Sequence, residues 1–86
     1  MTETEIMDEI TSLIRMTFGL DGMVGVTRET VSYDVDGWDS LSHATLMIMV
    51  ERKFDVSISE DDSNLIRNVG DLVDLVAAKI AQKDRQ

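Results

Sequence analysis

The sequence predicts an all-α fold, a bundle of three main helices and one short helix with a long loop between the first two. Three observations lead to this prediction. The 86 residues include no proline and only five glycines, so few residues interrupt helices. Aromatic residues make up 5% of the chain, so aliphatic side chains and six methionines must supply the core. Apolar residues recur at helical spacing in separate segments. We expect residues 1–86 to form a single domain.

The first helix is predicted over Glu3–Phe18. Thr2 and Glu5 have the spacing of a capping box, in which each side chain bonds the backbone N–H of the other residue. Apolar residues then repeat at intervals of three and four along one helical face. This predicted core face consists of Ile6, Ile10, Leu13 and Ile14, with Thr17 completing it.

A long connection is predicted over 19–39, where the helical pattern stops and glycines stand at positions 19, 22, 25 and 37. Connections of this length are uncommon in small domains and are often functional. The second helix is predicted from Ser40 to Phe54. Stepping 100° per residue places four of its apolar residues in one sector, the predicted core face: Leu46, Met47, Val50 and Phe54.

Two further helices are predicted in the last third of the chain. Ser59 and the acids Glu60, Asp61 and Asp62 indicate the cap and first turn of a short helix, because acidic side chains stabilise the positive end of the helix dipole. Asn68 is predicted to cap the last helix. Its apolar face comprises Val69, Leu72, Val73, Val76 and Ile80, with Lys79 and Lys83 near its C-terminal end.

Composition limits the classes of partner. Seventeen acidic residues against eight basic ones give a net charge of −9, which repels nucleic acid and anionic membranes and favours proteins with basic surfaces. Four of the acids and no base lie in the stretch Glu29–Asp39. The longest unbroken apolar run, Leu46–Val50, is too short to span a membrane, and the N-terminal residues lack a signal-peptide pattern. We therefore expect a cytoplasmic protein, and without cysteine it has no disulfide and no thiolate metal site.

The second helix carries a second apolar stripe, formed by Leu41, Ile48 and Met49, on the side opposite its core face. Thr45 and Arg52 lie among these residues. A bundle helix needs only one buried stripe. Either the long loop covers the second stripe, or the stripe is a surface that docks a partner.

Ser40 follows Asp39 at the predicted start of the second helix, where unpaired backbone N–H groups and the helix dipole favour an anion. A nucleophilic serine would require the Gly-x-Ser-x-Gly elbow, which is missing, although His43 lies one turn on. A calcium loop through Asp34 and Asp36 would require a glutamate where His43 stands. A phosphate ester on Ser40 would be stabilised at this position. The plainest interpretation is that Ser40 or Asp39 simply caps the helix.

The run GWDSLSHATLMIMVERKFDVSI, at residues 37–58, resembles the signature of the acyl carrier protein family, which includes the peptidyl and aminoacyl carriers. In that family an Asp-Ser-Leu triplet opens the second helix, and the serine carries 4'-phosphopantetheine through a phosphodiester. The acidic third helix and the amphipathic last helix follow at the family's spacing, so the resemblance covers most of the chain.

The resemblance implies a role for each matching residue. Ser40 would be the attachment point for a phosphopantetheine arm, which a separate phosphopantetheinyl transferase takes from coenzyme A. Asp39 would be a recognition element, and Leu41 would lie beside the arm and begin the partner surface. The positions expected to face partner enzymes are Leu41, Thr45, Ile48, Met49, Glu51 and Arg52. No catalytic residue and no metal site are expected.

The resemblance further implies a discrete carrier, not an enzyme, which holds acyl, polyketide or aminoacyl intermediates as thioesters. Its expected partners are loading enzymes, ketosynthases, and condensation or acyl-transfer enzymes, and we expect a monomer. Trp38 and the shortage of acids along the second helix favour polyketide or nonribosomal peptide biosynthesis over primary fatty-acid synthesis. Two alternatives stay open: an unmodified helical interaction module, and an acidic domain that binds a divalent ion through Asp34, Asp36 and Asp39.

Trp38 and His43, two residues near Ser40, are expected to have structural roles. Trp38 is expected to anchor the loop by packing on the bundle. His43 falls towards the core side of the second helix, where we expect it to be hydrogen-bonded and partly buried. The alternative for His43 is contact with the phosphopantetheine arm or its cargo.

Overall fold

The computed structural model describes residues 1–20 and 25–84 of the chain, the last of these by its backbone alone. Within these ranges the fold is all-helical, and the predicted order of three main helices and one short helix is confirmed. The predicted loop residue Gly22 lies outside the described residues. The elements are α1 (Glu3–Phe18), a 3-10 turn (Ser32–Asp34), α2 (Ser40–Phe54), α3 (Glu60–Asn64) and α4 (Val69–Asp84).

Helix α1 begins at the predicted capping box. The backbone N–H of Thr2 donates to Glu5 Oε1 at 2.9 Å, and the backbone N–H of Glu5 donates to Thr2 Oγ1 at 3.2 Å. The bond from the Thr2 N–H lowers the pKa of the Glu5 carboxyl. The helix ends at Gly19, whose φ of 64° is the left-handed conformation that glycine adopts without a steric penalty.

Helix α1 packs against both α2 and α4, and the core lies between these three helices. The predicted core faces of α1 and α2 are buried, except that Thr17 of α1 is only half-buried. The last helix contributes four of its five predicted apolar residues, with Ile80 only half-buried. The fully buried side chains are aliphatic, namely Ile6, Ile10, Ile14, Leu46, Val50, Val69, Leu72, Val73 and Val76.

The loop ahead of Ser40 is bonded to the start of α4. The backbone N–H of Val69 donates to the Thr30 carbonyl at 2.9 Å, and that of Gly70 donates to the Arg28 carbonyl at 2.8 Å. A Cβ atom on Gly70 would lie 3.1 Å from both the carbonyl oxygen and the Cβ of Arg28. Glycine at position 70 therefore permits the close approach of loop and helix.

Arg28 adds a charged connection between the loop and two helices. Its guanidinium donates to Glu3 Oε1 at 2.7 Å and to both carboxylate oxygens of Asp74 at 2.9 and 3.0 Å. The bonds to Asp74 raise the pKa of Arg28. All three side chains are largely exposed, so the connection orients the loop more than it stabilises the fold.

The C-terminal end of α2 is held by a lysine from α4. Asp55 ends the helix with a φ of 54°, and Lys83 Nζ donates to the carbonyl and the carboxylate of Asp55 at 3.1 and 3.0 Å. Lys83 Nζ also donates to the Phe54 carbonyl at 3.4 Å. Lys83 lies near the C-terminal end of its own helix, as predicted. In the fold its ammonium group contacts the carbonyl end of α2, where the helix dipole favours a positive charge.

Side-chain hydrogen bonds cap the N-termini of the two remaining helices. Ser59 and Asp62 form a capping box for α3, and Lys79 of α4 pairs with Asp62 at 2.9 Å. The bond from Lys79, aided by the Ser59 N–H, lowers the pKa of Asp62. Asn68 Oδ1 accepts from the Asp71 N–H at 2.8 Å, which confirms the predicted cap of α4. In residues 1–20 and 25–84, none of the helices combines the length and the apolar character that crossing a bilayer requires.

Candidate functional site

Ser40 is the first residue of α2, and its side chain is exposed. The cap is Asp39, whose Oδ1 accepts from the Ser42 N–H at 2.9 Å. This bond lowers the pKa of the Asp39 carboxyl, so a negative charge is held beside the serine. Among the described residues, the Ser40 hydroxyl has no protein hydrogen-bond partner. Asp39 therefore does the capping and leaves the serine oxygen available.

An open groove of about 600 Å³ lies beside Ser40. Its walls come from the first turns of α2, from α3 and from the loop that precedes α2, with Ser32, Glu60 and Asn64 among the lining residues. The groove gives a group attached to Ser40 room at the protein surface. The exposed hydroxyl, the helix N-terminus and this space together fit a phosphorylated prosthetic arm.

Three side chains beside the groove form a connected chain. The Trp38 indole N–H donates to His43 Nδ1 at 3.1 Å, and His43 Nε2 lies 3.0 Å from Ser63 Oγ. Because an indole N–H only donates, His43 Nδ1 must accept, which leaves the proton of the neutral ring on Nε2 to be donated to Ser63. Phe18 of α1 stacks on Trp38 with ring centroids 5.1 Å apart. The chain thus joins α1, the loop, α2 and α3.

The structural interpretations of Trp38 and His43 are confirmed. Trp38 is half-buried and packs against the core cluster, and His43 is part-buried with both ring nitrogens hydrogen-bonded. The contact of Ser63 with His43 was not predicted from the sequence. No pattern in the sequence marks it, since a serine inside a short acidic helix differs in no visible way from any other surface serine.

Much of the second stripe on α2 is uncovered. Leu41 is 78% exposed and Ile48 is 50% exposed, and the described residues of the loop leave both side chains accessible. Thr45 and Arg52 are exposed beside them, although the Thr45 hydroxyl donates to the Leu41 carbonyl at 3.2 Å. These four residues form an accessible surface that runs from Ser40 along α2.

Two other residues predicted to face partners lie deeper. Met49 is half-buried and packs on the core, where the Thr17 hydroxyl donates to its sulfur at 3.3 Å. Glu51 is half-buried, and its carboxylate accepts from the Ile58 N–H at 3.0 Å. Each side chain thus has a structural role in addition to any contact with a partner.

The three aspartates of the divalent-ion alternative are not brought together by shared contacts among the described residues, and two of them have separate hydrogen bonds. Asp34 Oδ2 accepts from the Val31 N–H at 3.1 Å, and Asp39 caps α2. Asp36 is exposed in the loop between them. In the part of the chain that the structure describes, no group of three or more acidic, histidine or cysteine side chains is arranged to hold a metal ion.

Known proteins similar to this chain share one description. The chain matches none of the protein-family models with which it was compared. It is 30% identical over 81 residues to an acyl carrier protein of Guillardia theta, covering 94% of this chain and 99% of that protein. An acyl carrier protein of Exiguobacterium sp. is 29% identical over 80 residues, with 93% and 100% covered.

A solved structure supports the same assignment. The solution structure of a holo acyl carrier protein from Geobacter metallireducens superposes with a TM-score of 0.84 at 38% identity, over 94% of this chain and 92% of that one. Sequence similarity over nearly the full length and the shared helical fold agree, and the chain belongs to the acyl carrier protein family.

Proposed function

We propose that this carrier is modified on Ser40 and presents acyl, polyketide or aminoacyl groups to partner enzymes. Members of the family are carriers and not enzymes, and their prosthetic group is 4'-phosphopantetheine. The observation that supports Ser40 as its site is an exposed hydroxyl at the start of α2, without a hydrogen bond to the described protein and beside an open groove. When attached, the arm supplies the thiol on which the acyl group is held as a thioester.

The residues around Ser40 support this assignment in separate ways. The backbone N–H groups of the first turn favour an anionic phosphodiester at this position. Asp39 fixes the start of α2 by bonding the Ser42 N–H, and its charge is available to a basic transferase. Leu41, the next residue after the serine, projects into solvent where a modifying enzyme must approach.

Intact-mass spectrometry after reaction with coenzyme A and a phosphopantetheinyl transferase tests the proposal. We expect the wild-type protein to gain one phosphopantetheine and Ser40→Ala to gain none. Ser42→Ala is the matched control, because it removes a hydroxyl from the same helical turn, and it should gain the group as the wild type does. An unmodified wild type, or an adduct that persists in Ser40→Ala, would refute the assignment and favour an unmodified interaction module.

The surface for partner enzymes is the exposed side of α2. Leu41 and Ile48 supply apolar contact, and Thr45 and Arg52 supply the polar surroundings of a small, reversible interface. Met49 and Glu51 belong to the same surface through the parts of their side chains that stay accessible. A transferase, a loading enzyme, and a ketosynthase or condensation enzyme would use it in turn, with the carrier as a cytoplasmic monomer.

The charges of α2 favour a role in polyketide or nonribosomal peptide biosynthesis over primary fatty-acid synthesis. The exposed side of α2 carries Thr45 and Arg52, and Glu51 is engaged with the Ile58 N–H. The acids of the loop, Glu29, Asp34 and Asp36, are exposed instead. A partner that fits this carrier therefore has its basic residues opposite the loop. Loading assays with holo protein and purified loading enzymes of each pathway would distinguish the two.

A further inference from the structure

The groove beside Ser40 is polar. Apart from Trp38, Ala44 and Ile66, every residue that lines it is polar or charged. Among the described residues that line it, the ionisable groups other than His43 are the carboxyls of Asp39 and Glu60, and none is a lysine or arginine. Such a surface favours a ligand with hydrogen-bond donors, ammonium groups included, over an aliphatic chain or a carboxylate.

The Trp38–His43–Ser63 chain borders this groove on the side of the bundle. An adjoining cavity that also touches Trp38 and His43 measures only about 50 Å³, which is space for one or two waters. The core beyond is shielded from solvent, with Leu46, Val50 and Val73 all at 0% exposure. Residues of α2 and α3 both line the groove, so the seam between these helices leads from the groove towards the core. The His43–Ser63 hydrogen bond joins the two helices directly.

We propose that the Trp38–His43–Ser63 chain keeps the bundle closed, so that an acyl group on the carrier rests in the polar groove and not in the core. The groove then selects short acyl groups that carry hydrogen-bond donors, such as aminoacyl groups, over long aliphatic ones. His43 and Ser63 are positioning residues in this proposal. The attachment to Ser40 of the arm that carries the acyl group rests on the proposed function, whereas the properties of the groove do not.

Tethered probes test the groove without any transferase. Because the chain contains no cysteine, Ser40→Cys creates a single thiol, to which two thiol-reactive arms of equal length can be attached. One arm ends in a primary amine and the other in an octyl chain. The readouts are the unfolding midpoint Tm and the NMR shifts of the Trp38 indole N–H and the Asn64 side-chain amide.

In the Ser40→Cys background we expect the amine arm to shift the Trp38 and Asn64 signals. The octyl arm should leave the signals of the buried core unchanged and Tm almost unaltered. When Ser63→Ala is added, we expect the octyl arm to raise Tm, by about 6 °C or more if only two methylenes become buried. Ser57→Ala is the matched control, because Ser57 is exposed and does not line the groove, and this variant should behave like the parent.

The proposal is overturned if the octyl arm raises Tm equally with Ser63 present, because the bundle would then already be open to alkyl chains. It is also overturned if the amine arm leaves the Trp38 and Asn64 signals in place. His43→Ala is a second variant, which breaks the hydrogen-bonded chain at its centre. If the octyl arm changes Tm no more in either variant than in the parent, His43 and Ser63 do not have the role proposed for them. Failure of the transferase reaction on the wild-type protein would instead refute the modification of Ser40 alone.

Discussion

Asp39 stabilises the fold through a single side-chain bond to the Ser42 N–H. We expect Asp39→Ala to lower the free energy of unfolding, because a helix cap is lost, and Asp39→Asn to lower it by less. Urea unfolding measures both values. Asp36→Ala is the control, since Asp36 lies in the same loop, is exposed and bonds no described residue. An equal loss in Asp36→Ala would show that loop charge, and not capping, is responsible.

The lowered pKa of Asp39 makes its contribution depend on pH. Because the folded state binds the proton less tightly than the unfolded chain, the stabilisation is fully present above the ordinary aspartate pKa and is lost as pH falls through the folded pKa. Asp39→Asn keeps a capping oxygen but does not titrate. We therefore expect Tm to fall less steeply in this variant than in the wild type between neutral pH and about pH 3. Parallel curves would contradict this prediction.

Because Gly70 has no side chain, the loop that precedes α2 can lie against the start of α4. We expect Gly70→Ala to destabilise the protein by about 1 to 2 kcal/mol despite the better helix propensity of alanine, because the new atom would lie 3.1 Å from the Arg28 carbonyl oxygen. Gly25→Ala, where a Cβ meets no atom of the described residues within 4 Å, should change stability by less than about 0.5 kcal/mol. Thermal unfolding compares the two variants, and a harmless Gly70→Ala would show that the loop can move away.

At the scale of elements, α3 depends on Asp62, which both completes a capping box and pairs with Lys79. We expect Asp62→Ala to open this short helix more often, so that the amides of Ser63 and Leu65 exchange with solvent about five times faster or more. Hydrogen exchange measured by NMR gives these rates. Asp61→Ala is the matched control, because the neighbouring Asp61 is exposed and bonds no described residue. Equal acceleration by both substitutions would exclude the specific role of Asp62.

The helices could be predicted from the sequence because each is determined by local signals. The box formed by Thr2 and Glu5, the Asp39 cap and the Asn68 cap all act within a few residues along the chain. Apolar spacing then identifies the buried face of each main helix without any knowledge of its neighbours. The position of Ser40 at the start of α2 follows from the same local reasoning.

Contacts between distant segments could not be predicted in the same way. The depth of Met49 depends on where Thr17 of α1 comes to lie, and the Glu51 carboxylate bonds an amide that follows its own helix. The bonding of His43 to Ser63 requires the packing of α3 on α2, which no spacing rule encodes. The 3-10 turn at Ser32–Asp34 likewise gave no periodic signal, because one turn is too short to show one.

At the scale of the whole molecule, exposed acids and exposed aliphatic side chains lie on different sides of Ser40 along the chain. Exposed acids precede the serine in the loop, and exposed apolar residues follow it on α2. Long-range attraction sets the rate of association, and short-range apolar contact sets the lifetime of a complex. The two regions should therefore have different kinetic effects on any basic partner.

We expect Asp36→Asn to slow association with a phosphopantetheinyl transferase, with the difference vanishing at high salt. Leu41→Ala should chiefly speed dissociation, because it removes apolar contact but no charge. Surface plasmon resonance at two ionic strengths measures both rates. The control is Asp8→Asn, since its neighbour Glu9 pairs with Lys53 at the far end of α2 from Ser40. Slower association of this control by the same factor would mean that only net charge matters.

The two backbone bonds from α4 to the loop also limit how far the protein can be shortened. A fragment that ends at Asn68 keeps the Asp-Ser-Leu triplet and all of α2, yet it lacks both amides that hold the carbonyls of Arg28 and Thr30. The loop that leads to Ser40 would then lose its backbone bonds to α4, and α2 would start from a loop without this support. The smallest working carrier of this design therefore extends through the last helix, although none of that helix's residues lines the groove beside the serine.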